Sequence, residues 1–302
     1  MLERYLEELR RELDARDAKD SEEILSYFEE IINDHIDNGE SEEEIIASLG
    51  DVQNLADSIC EKRGSERKKD LSLRTERKNF SDISKVDIGV KSYDVTVEPT
   101  KEGHGWLEYD QSDEVCLEVR IDGDELSIEE EDSGNIIDTF FVKMFSMRER
   151  KFKRHLRIVL PEDKMVDLDL DDVSGDVKIE GIKCDELDLQ TVSGDMELSS
   201  VFARDLQIQT VSGDMKADDI TVIGSLDIES VSGDLNGSRV KCDEISIQSV
   251  SGDVQLFIDG DKEDYEIREE SIRRHKVHEG SGSKSLSFDT VSGDISYRFS
   301  KE

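Results

Sequence analysis

The sequence predicts a chain of two parts: a small N-terminal helical bundle, then an all-β domain built as a β-solenoid, similar to a parallel β-helix with rungs of about 20 residues. The principal observation is the tetrapeptide Val-Ser-Gly-Asp, which occurs six times in the second half at offsets of 19, 19, 20, 19 and 41 residues. The copies are Val173–Asp176, Val192–Asp195, Val211–Asp214, Val231–Asp234, Val250–Asp253 and Val291–Asp294. Units of constant period bury their apolar faces by stacking on their neighbours. The last offset is about two periods, which predicts one rung that has lost its motif and gained an insertion.

A second observation is the alternation of apolar and polar residues around each copy, which is the two-residue period of a strand with one buried face. Each rung is therefore predicted to contain two or three short strands around an apolar interior. Four columns are expected to point inward: Val177/Met196/Met215/Leu235/Val254, Ile179/Leu198/Ala217/Leu256, Leu187/Leu206/Leu226/Ile245 and Leu189/Ile208/Ile228/Ile247.

The Ser-Gly-Asp corner is predicted to be a turn, because Gly permits positive φ while Ser and Asp side chains bond nearby backbone N–H groups. Stacking would make these corners a structural turn column, with the members Gly175, Asp176, Gly194, Asp195, Gly213, Asp214, Gly233, Asp234, Gly252, Asp253, Gly293 and Asp294. Carboxylates about 4.8 Å apart would repel each other by about 0.9 kcal/mol even in water. Hydrogen bonds from the turn that follows, or a row of cations such as Ca²⁺, could offset this repulsion. The hydrogen bonds are favoured, because the glycine-rich nonamer of calcium-binding β-rolls is absent.

The third observation is helical spacing over residues 1–62, which predicts the helical bundle. Leu2, Tyr5, Leu6, Leu9 and Leu13 form one apolar stripe. A second helix is predicted after Asp20, a third after the capping box at Ser41, and a fourth with Asp51 as its N-cap.

The run from Ile24 to Cys60 resembles the HAAS domain, the helix-turn-helix-associated α-helical signalling domain of bacteria. The resemblance is carried by Tyr27-Phe28, by Asn38-Gly-Glu-Ser-Glu-Glu-Glu-Ile-Ile46 and by Leu49-Gly-Asp51 followed by Leu55-Ala-x-x-Ile59. It implies a domain that works with PadR-like winged-helix repressors and often precedes membrane helices. This chain differs in having Val52 where that family commonly has proline, and in having no membrane helix after the domain. The alternative is a small acidic bundle used for dimerisation.

Residues 63–80 are predicted to be a basic linker, and a solvated hinge is favoured there over contact with nucleic acid or lipid headgroups. Residues 81–302 form the predicted solenoid, with irregular capping rungs over 81–160 and regular rungs over 173–302. The insertion over 257–285 is highly charged, and we expect a mobile loop. His275 and His278 could bind metal, but no second pair lies nearby in the sequence.

Residues 81–302 resemble the bacterial putative-adhesin family of β-strand repeats, a domain of unknown function. The matching features are Leu156-x-Ile158-x-Leu160-Pro161, the recurring Thr/Ser-Val-Ser-Gly-Asp, and the terminal Gly282-x-x-x-Leu286-x-Phe288-x-Thr290-Val-Ser-Gly-Asp-Ile295. The resemblance implies envelope-stress or surface roles without a known reaction. The adhesin label also implies export, whereas no signal peptide is evident.

Residues 136–155 combine an apolar cluster with a basic one. Such a composition fits contact with an anionic membrane or an acidic partner, or a segment folded over the flank of the solenoid. The candidate contact residues are Phe140, Phe141, Phe145, Arg148, Arg150, Lys151, Lys153 and Arg154.

Composition restricts the compartment and the partners. The chain holds 76 acidic and 39 basic side chains in 302 residues, a net charge of −37, which disfavours nonspecific binding to nucleic acid. Met1–Arg11 lacks the apolar core of a secretory signal, and no apolar run approaches 18 residues. Cys184 and Cys242 are expected three rungs apart, roughly 14 Å, which is too far for a disulfide. A cytoplasmic protein is predicted, with peripheral membrane contact left open.

No catalytic, cofactor or metal motif is present, since Gly-x-Ser-x-Gly, Gly-x-x-x-x-Gly-Lys and His-Glu-x-x-His are all missing. The favoured function is a non-catalytic signalling and scaffold protein of the bacterial cell-envelope stress response, whose helical domain binds a PadR-like transcription regulator or another partner while the solenoid presents a binding surface. The alternatives are a surface adhesin-like module and a carbohydrate-active β-helix enzyme. The last is disfavoured because the regular rungs from Val173 to Val254 contain only one aromatic residue, Phe202.

Overall fold

The computed structural model describes residues 2–16, 21, 24, 25, 28, 32, 36, 41–57, 59, 74–111, 115–130, 154–271, 274–278, 280 and 282–301. Two compact units are present, one N-terminal and helical and one built from strands.

The N-terminal unit contains helix α1 (Leu2–Ala15), helix α2 (Glu42–Leu49) and a further helical stretch over 52–57. The predicted stripe on α1 is buried at Leu9 and Leu13, which pack with Ile45, Leu49 and other apolar residues into one core. This burial follows from the three- and four-residue spacing of the apolar positions. The second predicted helix falls mostly outside the described residues.

The end of α2 and the start of the next helical stretch are both capped, the second by the predicted residue. Gly50 adopts φ +71°, a left-handed conformation that ends a helix at low cost for glycine. The Asp51 carboxylate accepts hydrogen bonds from the backbone N–H groups of Gln53 and Asn54, at 3.0 and 3.2 Å. Asp51 is therefore an N-cap.

The described residues of the second unit form 20 strands in one hydrogen-bonded system. They are β1 (Arg74–Phe80), β2 (Lys85–Val90), β3 (Tyr93–Thr100), β4 (Gly105–Gln111), β5 (Leu117–Asp122), β6 (Glu125–Glu130), β7 (Arg154–Pro161), β8 (Val166–Asp172), β9 (Val177–Glu180), β10 (Lys183–Ser193), β11 (Met196–Ser212), β12 (Met215–Val222), β13 (Ser225–Ser232), β14 (Leu235–Lys241), β15 (Glu244–Ser249), β16 (Val254–Asp261), β17 (Tyr265–Ser271), β18 (Arg274–His278), β19 (Lys284–Thr290) and β20 (Ile295–Lys301).

The strands pair in two ladders. Ladder A has the order β5–β6–β2–β8–β10–β11–β13–β15–β19–β17–β18. Ladder B has the order β1–β4–β7–β3–β9–β11–β12–β14–β16–β20. The long strand β11 belongs to both ladders. Pairing is parallel in the interior and antiparallel only at β5–β6, β1–β4, β4–β7 and β17–β18, so the predicted β-solenoid is confirmed.

The apolar columns face the interior. Every member of the four predicted columns is at most 5% exposed, except Ala217, which is half-buried. The register confirms the columns, since Leu189 lies opposite Ile208, Ile208 opposite Ile228 and Ile228 opposite Ile247. Cys184 and Cys242 are buried free thiols, and Cys184 lies opposite Ala203 of the next rung.

The prediction of a lost rung is wrong. Strand β15 pairs directly with β19, and β16 pairs directly with β20, so the corners at Val250 and Val291 are neighbours in the stack despite their 41-residue offset. The chain between them leaves the stack after β16 and forms a 3₁₀ turn (Lys262–Asp264) and strands β17 and β18. Strand β17 then pairs on the far side of β19.

The described residues of the insertion over 257–285 are therefore structured, and the prediction of a mobile loop is wrong for them. Tyr265, Ile267 and Glu269 alternate on β17 and are buried, and the Tyr265 hydroxyl donates to the Cys242 carbonyl at 2.6 Å. High charge obscured this period-two pattern in the sequence. The inference of two rungs from the 41-residue offset was also wrong. A segment that leaves the stack and returns can have the same length as a rung.

The predicted linker is also too long. Residues Arg74–Phe80 form β1, which pairs antiparallel with β4, and the guanidinium of Arg77 lies 3.9 Å from the centre of the Trp106 ring. This strand was not predicted because its residues are nearly all polar, as is common in a strand at the edge of a sheet. Within the described residues, no helix is long and apolar enough to cross a membrane.

Candidate binding groove

The Ser-Gly-Asp corners stack into one column joined by a repeated hydrogen bond. In each rung, the aspartate backbone N–H donates to the aspartate carboxylate of the preceding rung, at 2.8–3.1 Å. The six bonds are Asp176→Asp94, Asp195→Asp176, Asp214→Asp195, Asp234→Asp214, Asp253→Asp234 and Asp294→Asp253. The sequence left two ways to compensate the repulsion between the corner carboxylates, namely hydrogen bonds from the next turn or bound cations. The hydrogen bonds are present. Among the described residues, no group of three or more metal-ligating side chains is placed to hold an ion.

Serine and glycine complete the corner. The serine hydroxyl donates to the carbonyl of the preceding rung's valine, for example Ser212 to Val192 at 3.2 Å. Gly194, Gly213, Gly233, Gly252 and Gly293 adopt φ between +119° and +139°. A Cβ on Gly213 would lie 2.0 Å from the Gly194 carbonyl oxygen, so both the backbone conformation and the close stacking require glycine.

The first corner of the column was missed from the sequence because it lacks the motif. Lys91-Ser92-Tyr93-Asp94 occupies this position, and Gly175 stacks on the Tyr93 carbonyl. The Glu130 carboxylate accepts from the backbone N–H groups of Lys91 and Ser92, at 2.7 and 3.2 Å, and so caps the column. The available signal was Asp94 followed by an alternating strand.

Asp172 is a second residue that sequence reasoning missed. It is 3% exposed and occupies the position held by Thr191 and Thr210 in later rungs. Its carboxylate accepts from the Gly175 backbone N–H at 2.6 Å and from the Ser174 N–H at 3.3 Å. Burial raises the pKa of Asp172 to about 6, against the opposing effect of these hydrogen bonds.

The first residue of each corner produces an exposed apolar row. The valines that precede Ser-Gly-Asp are 45–49% exposed, and they are Val173, Val192, Val211, Val231, Val250 and Val291. Two positions earlier, outward-facing polar residues form a parallel row on ladder A, namely Asp171, Gln190, Gln209, Glu229, Gln248 and Asp289. The two rows border a groove of about 840 Å³, here called the valine groove.

The dimensions of the valine groove follow from the stack. Its valines belong to six successive corners, and five steps of about 4.8 Å give a length of about 24 Å. A segment lying along the groove would therefore meet one valine and one polar side chain at each step of the stack.

The groove is acidic. Glu129, Glu130, Asp171, Glu229 and Asp289 line it, whereas Lys91 is its one lysine or arginine among the described lining residues. Partial burial raises the pKa of Asp171, and the neighbouring carboxylates of Asp169, Asp188 and Asp87 raise it further. The site therefore offers a row of methyl groups beside a row of amide and carboxylate acceptors.

The contact residues predicted over 136–155 are not brought into this groove by any described contact. Phe140, Phe141, Phe145, Arg148, Arg150, Lys151 and Lys153 lie outside the described residues. Arg154 opens β7, donates to the Ser92 hydroxyl at 2.6 Å and lies 5.9 Å from the centre of the Tyr93 ring. It therefore supports the first corner of the column.

A stack of parallel rungs with a linear surface groove, preceded in the chain by a helical unit, defines a two-part protein of the β-solenoid class. The chain belongs to the Toastrack DUF4097 family, whose profile matches residues 83–302. Residues 4–58 match the HAAS family. Both resemblances predicted from the sequence are thereby confirmed.

Solved structures similar to this chain include three bacterial proteins. A putative adhesin from Bacteroides fragilis NCTC 9343 is 19% identical, with 75% of this chain and 97% of that chain covered and a TM-score of 0.49. A putative cell adhesion protein from Clostridium sporogenes ATCC 15579 is 14% identical, with coverages of 76% and 100% and a TM-score of 0.34. A putative lipid binding protein from Parabacteroides distasonis ATCC 8503 is 14% identical, with coverages of 76% and 96% and a TM-score of 0.40. No curated protein matches the chain.

Proposed function

We propose that this protein is a non-catalytic binding and scaffold protein, and that the valine groove holds an extended segment of a protein partner. The observation that carries the proposal is the continuity of the groove, since six successive corners each contribute a half-exposed valine at the same place. A regular surface of this length serves recognition of an extended chain better than it serves catalysis at one point.

The chemistry of the groove defines the partner segment. Aliphatic side chains would contact the valine row, and lysine or arginine side chains would contact the acidic and amide row. Charge complementarity of this kind accelerates association and excludes acidic competitors. An acidic segment would meet like charges at Asp171, Glu229 and Asp289.

Variants of the groove test this proposal. Val211→Lys together with Val231→Lys replaces two side chains of the valine row by cations without touching the core, because both valines are nearly half exposed. We expect an array of basic, aliphatic 10-residue peptides to lose at least about tenfold in affinity for this variant, because their basic side chains would then meet like charges. Ile223→Lys is the matched control, since Ile223 is 56% exposed and does not line the groove. Equal binding by all three proteins would refute the groove as the site.

The helical unit carries the second half of the proposal. The HAAS match over residues 4–58 supports a signalling role in the cell-envelope stress response, with a PadR-like regulator as the partner of this unit. A cytoplasmic location is part of the proposal, and the buried free thiols Cys184 and Cys242 are compatible with it.

A pull-down with the full chain tests the regulator. The expected result is recovery of a winged-helix regulator by the wild type and its loss on Leu9→Asp, which disrupts the buried face of α1. The groove variant should still recover it. Recovery of no transcription regulator by the wild type would argue against the signalling role while leaving the groove proposal intact.

Contact of residues 136–155 with an anionic membrane stays a separate prediction. Flotation with vesicles of anionic lipid measures it. Equal partitioning of the wild type and of a Phe140→Ser, Phe141→Ser, Phe145→Ser variant would contradict it.

A further inference from the structure

The two ends of ladder B differ in how they are protected. An edge strand presents unpaired backbone groups, and charged side chains normally discourage another strand from adding to it. Three of the four described edge strands follow this rule: β1 reads Arg-Thr-Glu-Arg-Lys-Asn-Phe, β5 reads Leu-Glu-Val-Arg-Ile-Asp and β18 reads Arg-His-Lys-Val-His. The fourth, β20, reads Ile-Ser-Tyr-Arg-Phe-Ser-Lys and is the least charged over its first five residues.

Strand β20 is an open edge. Among the described strands it pairs only with β16, through the register Val254↔Ile295 to Ile258↔Phe299. Its core-facing residues Ile295 and Tyr297 are half-buried, whereas Val254 and Leu256 on the neighbouring strand are at most 5% exposed. Strand β17 covers part of the core beside β20, since Phe299 is 6% exposed with its ring 5.2 Å from that of Tyr265, and the Tyr297 hydroxyl donates to Glu269 at 2.6 Å. Ile295, nearest the corner, remains half-buried.

The corner column is closed at one end and open at the other. At the first corner, Glu130 accepts the N–H groups of Lys91 and Ser92. At the last corner, the carboxylate of Asp294 receives no hydrogen bond within the described part of the chain, although the six preceding aspartate carboxylates each accept one from the next rung. The last corner of the column thus offers a carboxylate to which the backbone N–H of a further rung would donate.

The direction of the outer backbone groups follows from the register. The Val254 N–H donates to the Asp294 carbonyl. In this parallel pair, the backbone N–H and C=O groups of Val254 therefore point toward β20, and those of Ser296 point toward β16. By the same alternation, the N–H and C=O groups of Ile295 and Phe299 point away from β16.

We propose that the open edge of β20 is a docking site for an extended strand of a partner protein, which adds parallel to β20 as one more rung. Its backbone would pair with Ile295 and Phe299, its corner N–H would reach Asp294, and its apolar residues would complete the burial of Ile295. Strand addition of this kind takes affinity from the backbone and specificity from alternate side chains.

A second copy of this chain does not supply that strand. Its own first corner is sealed by Glu130, so one solenoid cannot continue another through the corner column. Pairing of two β20 edges would bring together two chains that each carry −37 net charge. Edge addition is independent of the valine groove, which lies on ladder A, so either proposal can fail alone.

The test uses the chain's own repeat as a surrogate strand. A labelled peptide with the sequence of residues Val250–Asp259 contains a corner and a strand that already stack in this way in the wild-type chain. We expect saturable binding to the full-length protein, measured by fluorescence anisotropy. In hydrogen exchange, the amides of Ile295 and Phe299 should become protected, while those of Ser296 and Arg298 are protected with or without peptide.

Two matched peptides make the outcome decisive without altering the protein. N-methylation at the Gln255 position blocks the N–H that would donate to Ile295 and should weaken binding at least about tenfold. N-methylation at the Leu256 position alters an N–H that faces away and should leave affinity unchanged. Equal effects of the two, or no saturable binding of the parent peptide, would overturn the proposal.

A pair of protein variants gives a further check. Asp294→Ala removes the acceptor at the open corner and should weaken peptide binding severalfold, whereas Asp163→Ala removes an exposed aspartate between β7 and β8 and should not. Sedimentation equilibrium should show a monomer. A dimer whose β20 amides are already protected without peptide would assign the edge to self-association and overturn the proposal.

Discussion

Asp172 is the residue at which the solenoid departs from its own repeat. Later rungs place Thr191 or Thr210 in this buried position, whereas Asp172 brings a carboxylate to cap the N–H groups of the first motif corner. Because burial raises its pKa to about 6, ionisation of Asp172 costs stability in the folded state. The residue is a pH-dependent weak point beneath the first motif corner.

The pH dependence of unfolding tests this role of Asp172. A raised folded-state pKa adds stability that is fully present below the unfolded pKa near 4 and is lost as the pH rises through about 6. Asp172→Asn cannot ionise, so its free energy of unfolding relative to that of the wild type should be higher at pH 7.5 than at pH 4 by up to about 3 kcal/mol. The gap should shrink toward pH 4, as measured by urea unfolding. Asp172→Thr, the residue of later rungs, is the companion variant, and a pH-independent gap would contradict the prediction.

At Gly213, unlike at Asp172, the backbone conformation and the close stacking determine which residue can be present. Its φ is +132°, and an added Cβ would lie only 2.0 Å from the Gly194 carbonyl oxygen, so there is no room for a side chain. Gly213→Ala should cost about 3–5 kcal/mol, because it combines backbone strain with a steric clash in the stack.

Gly89→Ala is the control for this substitution. Gly89 lies in β2 with ordinary φ and no atom within 4 Å of the added methyl group, so its stability should change by no more than about 0.5 kcal/mol. Thermal unfolding of both variants measures the difference. Equal melting temperatures would mean that the corner relaxes freely.

The corner column is the element that holds the rungs in register. Its hydrogen bonds use each aspartate twice, as a backbone donor to one rung and as a carboxylate acceptor for the next. A column of like charges is thereby converted into a chain of charge-assisted bonds, which are stronger than neutral ones. The carboxylate of each aspartate stabilises the stack by accepting a hydrogen bond. Its negative charge destabilises the stack by repelling the neighbouring carboxylates.

Two substitutions at Asp214 separate the acceptor from the charge. Asp214→Ala leaves the Asp234 N–H without its partner and should cost about 1–2 kcal/mol. Asp214→Asn keeps an acceptor oxygen and removes a repelling charge, so it should be within about 0.5 kcal/mol of the wild type. Chemical denaturation gives both values. If Asn and Ala were equally destabilising, the carboxylate charge itself would be required.

The repeat made most of the second unit predictable, because one period fixes strand spacing, inward columns and corner geometry together. Leu187, Leu189 and Gly213 could all be placed from their neighbours in the alignment. Asp172, Glu130 and the Lys91–Asp94 corner could not, because each replaces a motif residue with one of different chemistry. The valine groove was missed for another reason: Val192 and its equivalents look like core residues in sequence, and only the bend at the corner turns them outward.

Chain topology limited the prediction over longer distances. Strand β2 pairs with both β6 and β8, and β19 lies between β15 and β17, so neighbours in the stack are not always neighbours in sequence. In ladder A, β17 and β18 leave the stack after β16 and return beyond β19, whereas β20 at the end of ladder B is left as an edge. A period counted along the chain detects regular rungs and misses such excursions.

The net negative charge destabilises the folded state of the whole molecule. At −37, self-repulsion opposes the compact state, and the corner column and the Asp87, Asp169 and Asp188 row concentrate that repulsion on the strand unit. Added salt shortens the screening length from about 10 Å at 0.1 M to about 3 Å at 1 M. Stability of the strand unit should therefore rise with ionic strength.

Thermal unfolding in two salts tests whether this effect is screening or ion binding. Raising NaCl from about 0.05 to about 0.5 M should increase the melting temperature of the β signal by several degrees, since the repulsion falls steeply with the screening length. CaCl₂ at matched ionic strength should give the same curve, because each corner carboxylate from Asp94 to Asp253 is already engaged by a backbone N–H. An additional, saturable increase at millimolar calcium would show that cations bind the column, and the hydrogen bonds would then be only part of what offsets its charge.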